Sequence, residues 1–479
     1  MSEKINILQL NDVHGYMNLH NESYYEARGI AYRKSGGYAR IATLINQIKS
    51  YGNATLLFDC GDTFHGTFPV VDTQGEILTD VLNDLDISAM TGHWDFAYGP
   101  KQLQVLLEKL NYPFLAANIY TKGTDALLFD PTVILEKNGI KIGVIGLACN
   151  IVDKTMPASF SEGIYFTDGT KELSRYIDQL KHEQEADLIV LISHNGFPQE
   201  VELVKQNPGI DICLSSHTHN RLYKPVVINN TIIIQSGAHG SFLGSLEITL
   251  DENKKIADFS HQLIEVSEST TPDKDLQQKI GKLLEPYKYL DEKVGETDFA
   301  LHRNLSLECT MDNFLLQSMM AKVPADVYFS NGWRYGTPIP RGDVTLNDLY
   351  NIVPMNPPIS TVTLSGEELL KMIEENLDKT YNNNPLQQMG GYVKRALGIK
   401  IYFKAENPNK TRVQSAFVNG EKVDPMAAYT AAFITSQGVP ERYGKNRMQT
   451  NFRIVEAMQQ YLAVNSPLKV SMYKTFELI

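Results

Sequence analysis

The first half of the chain alternates between short, continuous apolar runs and longer amphipathic stretches. Apolar runs of this kind predict buried strands, and the amphipathic stretches predict helices that cover them. The predicted strands are Ile5–Leu10, Thr55–Cys60, Phe114–Asn118, Ile140–Leu147, Asp187–Ser193 and Ile210–Ser215. The predicted helices are Gly37–Lys49, Gly75–Leu85, Pro100–Leu110 and Gly169–Glu185. Alternation of this type indicates an α/β layer structure around a buried sheet.

The pattern changes after Pro225. Three strand-like segments then follow one another without a helix between them: Val226–Ile234, Ser241–Leu250 and Lys255–Glu265. Consecutive strands pair in antiparallel fashion more readily than in parallel. The fold class is therefore expected to be mixed α/β and not purely doubly wound.

A polar segment with helical periodicity separates the two halves of the chain. We expect a first domain over residues 1–267, a linker helix over 268–293 and a second α/β domain over 294–479. A length of 479 residues is consistent with two large domains. Helices in the second half are predicted over Cys309–Val323, Ser365–Asp378 and Phe452–Val464. Strands are predicted there over Val327–Ser330, Ile359–Leu364, Ile399–Phe403 and Tyr429–Ile434.

Composition narrows the classes of function. The chain has 44 basic and 56 acidic residues, a net charge of −12, so a nucleic-acid polymer is not the expected partner. A small anionic substrate remains compatible, because a metal ion supplies local positive charge. No apolar stretch is long enough to span a membrane, and the four cysteines have no disulfide or metal spacing. With no signal peptide visible, a cytoplasmic location is expected, or an extracytoplasmic one if a leader had been removed.

Aspartate and histidine side chains recur just beyond the predicted strands. The carboxyl ends of strands in an α/β sheet form the usual ligand site, so these side chains are expected to converge there. The set consists of Asp12, His14, Asp62, His93, His194, His217 and His219. Any single Asp-x-His or His-x-His pair is weak evidence, but the whole set favours metal ligands over packing.

Imidazole and carboxylate ligands suit divalent transition metals. Seven of them suffice for two ions, with one aspartate as a bridge. Manganese or zinc is expected, with iron as the alternative.

The order of these motifs resembles that of the calcineurin-like metallophosphoesterases. The motifs are Asp12-x-His14, Gly61-Asp62, Gly92-His93-Trp94-Asp95, His194-Asn195-Gly196 and Ser216-His217-Thr218-His219. The second half resembles a 5′-nucleotidase C-terminal domain at Phe329–Arg334, Arg341–Thr345 and Asn351–Pro354. The resemblance implies a four-layer metallophosphoesterase domain joined to a smaller α/β substrate domain.

The resemblance also assigns the ligands to two ions. It places Asp12, His14, Asp62 and His219 on one metal, and Asp62, His194 and His217 on the other. Asp62 is then the bridge. His93 stands where the family has an asparagine ligand, and it is expected either to bind the second metal or to act as a proton donor.

Two departures from the family concern catalysis. Trp94 and Ala97 stand where the nucleotidases have the histidine and aspartate that protonate an alkoxide leaving group. The segment Gly92–Gly99 is similar to SoxB-type thiosulfohydrolases, which release sulfate from a thiosulfonate on a carrier protein. A sulfur leaving group needs less protonation than an alkoxide does.

The remaining candidates are substrate residues. Asn195 and Arg334 are expected to take part in catalysis, Arg334 by binding an anionic oxygen pair. The expected substrate-binding residues are His239, Asn331, Arg334 and Phe433, although specific nucleotide recognition lacks the usual late motif.

Three functions follow from these observations. The first is a 5′-nucleotidase-type phosphoesterase, in which a metal-bound hydroxide attacks a nucleotide or a related phosphomonoester. The second is a SoxB-like hydrolase acting on an S-sulfonate of a carrier protein. The third, from another class, is a non-catalytic metal-bound binding protein, favoured by Trp94 and Ala97.

Overall fold

The computed structural model describes residues 3–479, which form two compact units. The first unit comprises the described residues up to Glu22 together with Lys34–Glu285, and the second comprises Ser23–Arg33 and Pro286–Ile479. The break after Glu285 lies inside the segment that was expected to link the domains, and the exact domain limits stay a prediction. The sequence patterns did not indicate that residues 23–33 group with the second unit.

The strands of residues 3–285 match the expected apolar runs closely. In chain order they are β1 Glu3–Leu10, β2 His20–Glu26, β3 Gly29–Ser35, β4 Ala54–Asp59, β5 Ile87–Met90, β6 Ile119–Thr121, β7 Thr132–Lys137, β8 Ile140–Leu147, β9 Ile164–Phe166, β10 Leu188–Ser193, β11 Ile212–Leu214, β12 Val226–Ile228, β13 Thr231–Ile234, β14 Phe242–Leu250 and β15 Ile256–Glu265. The expected strand over Phe114–Asn118 is wrong, because only Phe114 and Leu115 make isolated bridges there. Asn118 instead uses its side chain to bind the backbone of Ala148.

Two sheets form the core of the first unit. One has the order β15-β14-β1-β4-β5, and the other has the order β12-β13-β11-β10-β8-β7. β1, β4 and β5 are parallel to one another, as are β8, β10, β11 and β13. Apolar side chains of both sheets, such as Ile7, Phe58, Val190 and Leu214, share one core cluster. Burial on both faces explains why these strands read as continuous apolar runs.

Helices cover the outer faces of this pair of sheets. They are α1 Tyr38–Ser50, α2 Phe68–Asp72, α3 Thr79–Asn83, α4 Pro100–Leu107, α5 Val152–Thr155, α6 Thr170–Asp178, α7 Phe197–Gln206 and α8 Lys274–Leu284. α1 buries Ile41 and Ile45 and contacts β4 and α8, while α7 contacts β12. The result is a helix–sheet–sheet–helix arrangement, which confirms the mixed α/β prediction.

The second unit is a smaller α/β body. Its elements are β16 Lys293–Thr297, α9 Thr310–Met320, β17 Val327–Gly332, β18 Gly342–Thr345, α10 Leu346–Ile352, β19 Pro358–Ser365, α11 Gly366–Thr380, β20 Tyr392–Leu397, β21 Ile399–Phe403, β22 Val413–Val418, β23 Glu421–Lys422, β24 Ala428–Phe433, β25 Lys445–Arg453, α12 Ile454–Asn465 and β26 Phe476–Leu478. The sheet orders are β20-β17-β24-β19-β25 and β23-β22-β21-β26.

Local sequence signals account for the helix starts in this unit. Ser365 caps α11, its hydroxyl accepting from the Glu368 N–H while the Glu368 carboxylate accepts from the Ser365 N–H. This reciprocal pair satisfies two donors that a helix start otherwise leaves unpaired. Across residues 3–479, the structure contains no helix whose length and apolar character would let it cross a membrane.

Candidate metal centre

The carboxyl ends of five strands in the first unit deliver seven Asp and His side chains to one place. β1 is followed by Asp12 and His14, β4 by Asp62, β5 by His93, β10 by His194, and β11 by His217 and His219. The ligand atoms form two groups, each with all its atoms within 4.8 Å of one another. The groups are Asp12, His14, Asp62 and His219, and Asp62, His93, His194 and His217. Asp62 belongs to both.

The backbone at these positions is bent into an unusual conformation. Five of the seven have positive φ: Asp12 at 52°, His14 at 52°, Asp62 at 57°, His217 at 68° and His219 at 56°. Non-glycine residues rarely adopt this left-handed region, and such strain concentrates at functional sites. The left-handed residues all follow β1, β4 or β11, so the chain bends sharply just where three of the five strands end.

Backbone hydrogen bonds hold two of these turns together. The Asp12 N–H donates to the Gly61 carbonyl at 2.8 Å, and the His14 N–H donates to the Asp62 carbonyl at 2.7 Å. Gly61 has φ of +89°, and a Cβ there would lie 2.8 Å from Gly92 Cα. Glycine is therefore needed where the loops after β4 and β5 approach each other.

Asp62 lies at the middle of the cluster. Its Oδ2 is 3.5 Å from His14 Nε2 and 3.3 Å from His194 Nε2, and its Oδ1 is 3.2 Å from His93 Nδ1. His219 Nε2 is 3.3 Å from Asp12 Oδ1. Oδ2 of Asp62 therefore lies between His14 of one ligand group and His194 of the other, while Oδ1 faces His93.

The ring orientation of two histidines is fixed by backbone carbonyls that contact Nδ1. His14 Nδ1 lies 3.1 Å from the His65 carbonyl, and His194 Nδ1 contacts the Cys60 carbonyl. A carbonyl can only accept, so Nδ1 carries the hydrogen in both rings. Nε2 is left to face the carboxylates, which is the usual way in which proteins orient a metal-binding imidazole.

The electrostatics of the cluster favour ionised carboxylates. Burial would raise the pKa of Asp62, but His194, His93 and His14 hold that pKa well below its usual value. Burial is likewise outweighed at Asp12, whose pKa is lowered by His219 and His194. Burial lowers the pKa of His14 to about 3, which keeps that imidazole neutral. The anionic carboxylates Asp12 and Asp62 beside the neutral His14 imidazole are suited to a divalent cation.

His93 has a neighbour that the sequence did not reveal. Burial lowers its pKa, but the Cys149 thiol and the Asp62 carboxylate outweigh burial and raise the pKa of His93 to about 9. Cys149 is buried and its N–H donates to the Gly92 carbonyl at 3.0 Å. A thiol thus lies beside the second ligand group.

Asp95 is a further residue that sequence reasoning missed. Its carboxylate accepts four backbone N–H groups, at 2.9–3.0 Å: those of Asp62, Thr63, Phe64 and His93. Asp95 is fully buried. It therefore ties the loop that carries Asp62 to the loop that carries His93.

Trp94 and Ala97, which stand where the resemblance places a proton-donating histidine and its aspartate partner, both have buried side chains that pack. Trp94 is buried and stacks on the His65 ring, with centroids 4.4 Å apart and planes 20° apart. Ala97 is also buried. Neither side chain can deliver a proton to a leaving group.

Asn195 is adjacent in sequence to the candidate ligand His194. Its Oδ1 accepts from the Asn150 N–H at 3.0 Å, while Nδ2 is buried and has no hydrogen-bond partner in residues 3–479. Because the amide oxygen is already engaged, the two N–H donors of Nδ2 are the groups left to bind a further partner. Its expected role toward substrate stays a prediction.

Of the other predicted substrate residues, His239 lies in the first unit near His14 and His219, while Asn331, Arg334 and Phe433 lie in the second unit. Asn331 lies near the end of β17, Arg334 follows that strand, and Arg334 Nη2 donates to the Gly391 carbonyl at 3.2 Å. Phe433 ends β24 inside the core, with the Arg447 guanidinium 4.6 Å from its ring centroid. Their roles toward substrate stay predictions.

Family models match both halves of the chain. The calcineurin-like phosphoesterase model matches residues 5–221, and the 5′-nucleotidase C-terminal domain model matches residues 279–435. The trifunctional nucleotide phosphoesterase protein YfkN of Bacillus subtilis is 26% identical over 80% of this chain. The matched region spans only 29% of that protein's length.

Solved structures resemble the chain over nearly its whole length. The sulfate thiohydrolase SoxB of Thermus thermophilus is 24% identical, with a TM-score of 0.91 over 99% of this chain and 96% of that chain. A 5′-nucleotidase precursor from the same organism is 20% identical, with a TM-score of 0.87 over 99% of both chains. At these identities the likeness establishes the fold, which both kinds of protein share.

Proposed function

The chain belongs to the calcineurin-like phosphoesterases that carry a 5′-nucleotidase C-terminal domain, and we propose that it is a two-metal hydrolase of phosphate esters. The observation that carries the proposal is the position of Asp62, which belongs to both ligand groups. A shared carboxylate between two groups of imidazoles is the arrangement that a pair of ions requires. We expect manganese or zinc, with iron as the alternative.

When bound, two divalent ions lower the pKa of a shared water and neutralise charge on the reacting phosphate. The residues of the chain hold and orient the groups around that centre. Asp62 is fixed through Oδ1, which accepts the Trp94 N–H at 2.7 Å. Asn195 is proposed to donate from Nδ2 to an anionic oxygen of the substrate, because its own oxygen is already engaged. Arg334 is proposed to bind a further anionic group.

A second candidate function is hydrolysis of an S-sulfonate on a carrier protein. It is favoured by Trp94 and Ala97, which fill the two acid positions by packing. Without an acid, a leaving group that is stable as an anion reacts far better than an alkoxide. A thiolate meets this condition, since an ordinary cysteine pKa is about 8.5.

The deciding experiment compares three substrates on one metal-loaded preparation. The substrates are a nucleoside 5′-monophosphate, an aryl phosphate and a peptide carrying a cysteine S-sulfonate. Phosphate release from either ester supports the proposed function, and sulfate release alone supports the second candidate. Asp62→Asn serves as the inactive control. A parent protein that hydrolyses none of them, with two metals bound, would leave a binding protein as the remaining interpretation.

A further inference from the structure

A buried polar cluster borders the candidate metal centre on the side of His14 and His219. It is formed by Glu22 on β2 together with Arg221, His239 and Ser241. All four residues belong to the first unit. None of them is a member of either metal-ligand group.

Glu22 holds the cluster together through both carboxylate oxygens. Oε1 accepts from Arg221 Nη2 at 3.0 Å, and Oε2 accepts from His239 Nδ1 and from the Ser241 hydroxyl, each at 3.0 Å. Burial would raise the pKa of Glu22, but His239 and Arg221 hold that pKa well below its usual value. The group is therefore a carboxylate, which can only accept.

The contact with Glu22 fixes the tautomer of His239. Because the carboxylate accepts, Nδ1 carries the hydrogen, so it is Nε2 that presents a lone pair whenever the ring is neutral. Nε2 is buried, and it has no hydrogen-bond partner within the part of the chain that the structure describes. The whole residue is 6% exposed. A buried ring nitrogen without a partner in the protein is unusual, and it is available to accept a hydrogen bond from a ligand or a water molecule.

His239 is also held in place by its backbone. It has φ of +60°, and its N–H donates to the carbonyl of Asp12 at 2.7 Å. Its ring centroid lies 5.8 Å from that of His219 and 6.1 Å from that of His14. The His239 ring is therefore a direct neighbour of two histidines of the first ligand group.

We propose that His239, positioned by Glu22, accepts a hydrogen bond through Nε2 from the water that attacks the substrate. The hydrogen bond orients one O–H of that water, so an oxygen lone pair is directed at the reacting centre. Glu22 is a positioning residue in this arrangement, and Arg221 neutralises its charge. The proposal rests on the proposed hydrolase function; it adds Glu22 to the site and gives His239, expected from the sequence to bind substrate, a role toward the attacking water instead.

The test uses Glu22→Gln and His239→Asn, with Ser241→Ala as the matched control. Glutamine keeps the shape of Glu22 but can donate from its amide to Nδ1, which moves the ring hydrogen to Nε2. Ser241→Ala removes a neighbouring hydrogen bond to Glu22 and leaves the contact with His239. All variants are compared as metal-loaded, full-length protein.

The first readout is the tautomer, observed from the ¹⁵N shifts of His239. We expect Nδ1–H in the parent and in Ser241→Ala, and Nε2–H in Glu22→Gln. The second readout is kinetic. Loss of an oriented attacking group is expected to lower kcat by about 10²-fold with little change in KM, in Glu22→Gln and His239→Asn alike. The double variant should be no slower than His239→Asn, since both act through one contact.

Three results would overturn the proposal. One is a parent-like kcat in Glu22→Gln with the tautomer reversed. Another is loss of metal from His239→Asn, which would make His239 a ligand. The third is an Nε2–H tautomer in the parent. If the parent hydrolyses none of the three substrates, the proposed function fails, and the role of His239 fails with it. If the parent is active and both variants have the kcat of the parent, only the role of His239 is rejected.

Discussion

The backbone N–H of Trp94 donates to Asp62 Oδ1 at 2.7 Å. The residue that replaces the acid of related nucleotidases therefore still holds the carboxylate shared by both ligand groups. Because the contact is made by the backbone N–H, it does not require an acidic or basic side chain at position 94. Metal binding and leaving-group protonation can thus change independently in this fold.

The first prediction concerns Asp62→Asn. The parent is expected to hold about two divalent ions per chain, and the variant should fall below one, since an amide cannot bridge two cations as a carboxylate does. Elemental analysis of protein purified without chelator measures this. Asp80→Asn, an exposed position on α3, is the control. Full metal content in Asp62→Asn would show that Asp62 is not the bridge.

The second prediction concerns the leaving group. With Trp94 and Ala97 in place of an acid pair, aryl phosphates should react far faster than alkyl phosphates such as a nucleoside monophosphate. The combined variant His93→Asn, Trp94→His, Ala97→Asp should raise alkyl activity, because general-acid help is worth about 10²–10⁴-fold. The measurement is the dependence of kcat/KM on leaving-group pKa.

Trp94→Phe provides the control for that variant, since it keeps an aromatic packing group beside His65 without supplying an acid. It should retain the steep leaving-group dependence of the parent. Equal rates on alkyl and aryl esters in the parent, with chemistry rate-limiting, would refute the missing-acid argument.

The third prediction concerns Asp95→Asn. An asparagine can accept through only one atom, so either the pair of N–H groups at Oδ1 or the pair at Oδ2 loses its acceptor. Metal affinity should fall by roughly 10–100-fold, which is typical when the support of a ligand is removed. Competition with a fluorescent chelator measures this, and Asp80→Asn should match the parent. An unchanged affinity would mean that the two loops keep their geometry without the carboxylate.

The fourth prediction concerns Lys394 in the second unit. Burial, with help from Lys379 and Arg442, lowers the pKa of Lys394 to about 7. The folded state therefore binds fewer protons than the unfolded state between pH 7 and the ordinary lysine value of about 10.4. The free energy of unfolding should rise with pH across that window, by up to about 1.4 kcal/mol per pH unit from this group.

Urea unfolding of the parent and of Lys394→Met at pH 7 and pH 9 checks this. The parent should gain stability relative to the variant on going to pH 9. If the free energy of unfolding changes equally with pH in the parent and the variant, the Lys394 ammonium group stays charged in the folded protein. Its hydrogen bonds to the carbonyls of Gln437 and Gly438, each at 2.7 Å, would then be sufficient to stabilise the charge.

Much of the site could be predicted because its ligands are adjacent in sequence to strong strand signals. Asp12, Asp62 and His194 each come within three residues of a buried strand, so the sheet topology alone brings them together. The mixed α/β class follows from the same apolar runs. Short apolar runs such as Phe114–Asn118 mislead because they can pair at single residues without forming a strand.

Contacts between polar residues that are far apart in the sequence could not be predicted, because no strand or helix pattern marks them. Glu22 and His239 are 217 positions apart, and their pairing depends on how β2 meets the loop before β14. Asp95 reads as one member of a motif, but its four backbone partners become visible only when two loops are folded together. Cys149 reads as an ordinary buried cysteine until its place beside His93 is known.

The assignment of residues 23–33 to the second unit has a consequence for the connectivity of the protein. The chain passes from one unit to the other three times, after Glu22, after Arg33 and after Glu285. A single proteolytic cut near residue 285 therefore leaves the two units covalently joined by two strands of the polypeptide. A gene fragment ending at Glu285 would include residues 23–33 without the rest of the second unit. A fragment starting at Pro286 would lack those residues. Neither unit is therefore encoded as one continuous stretch.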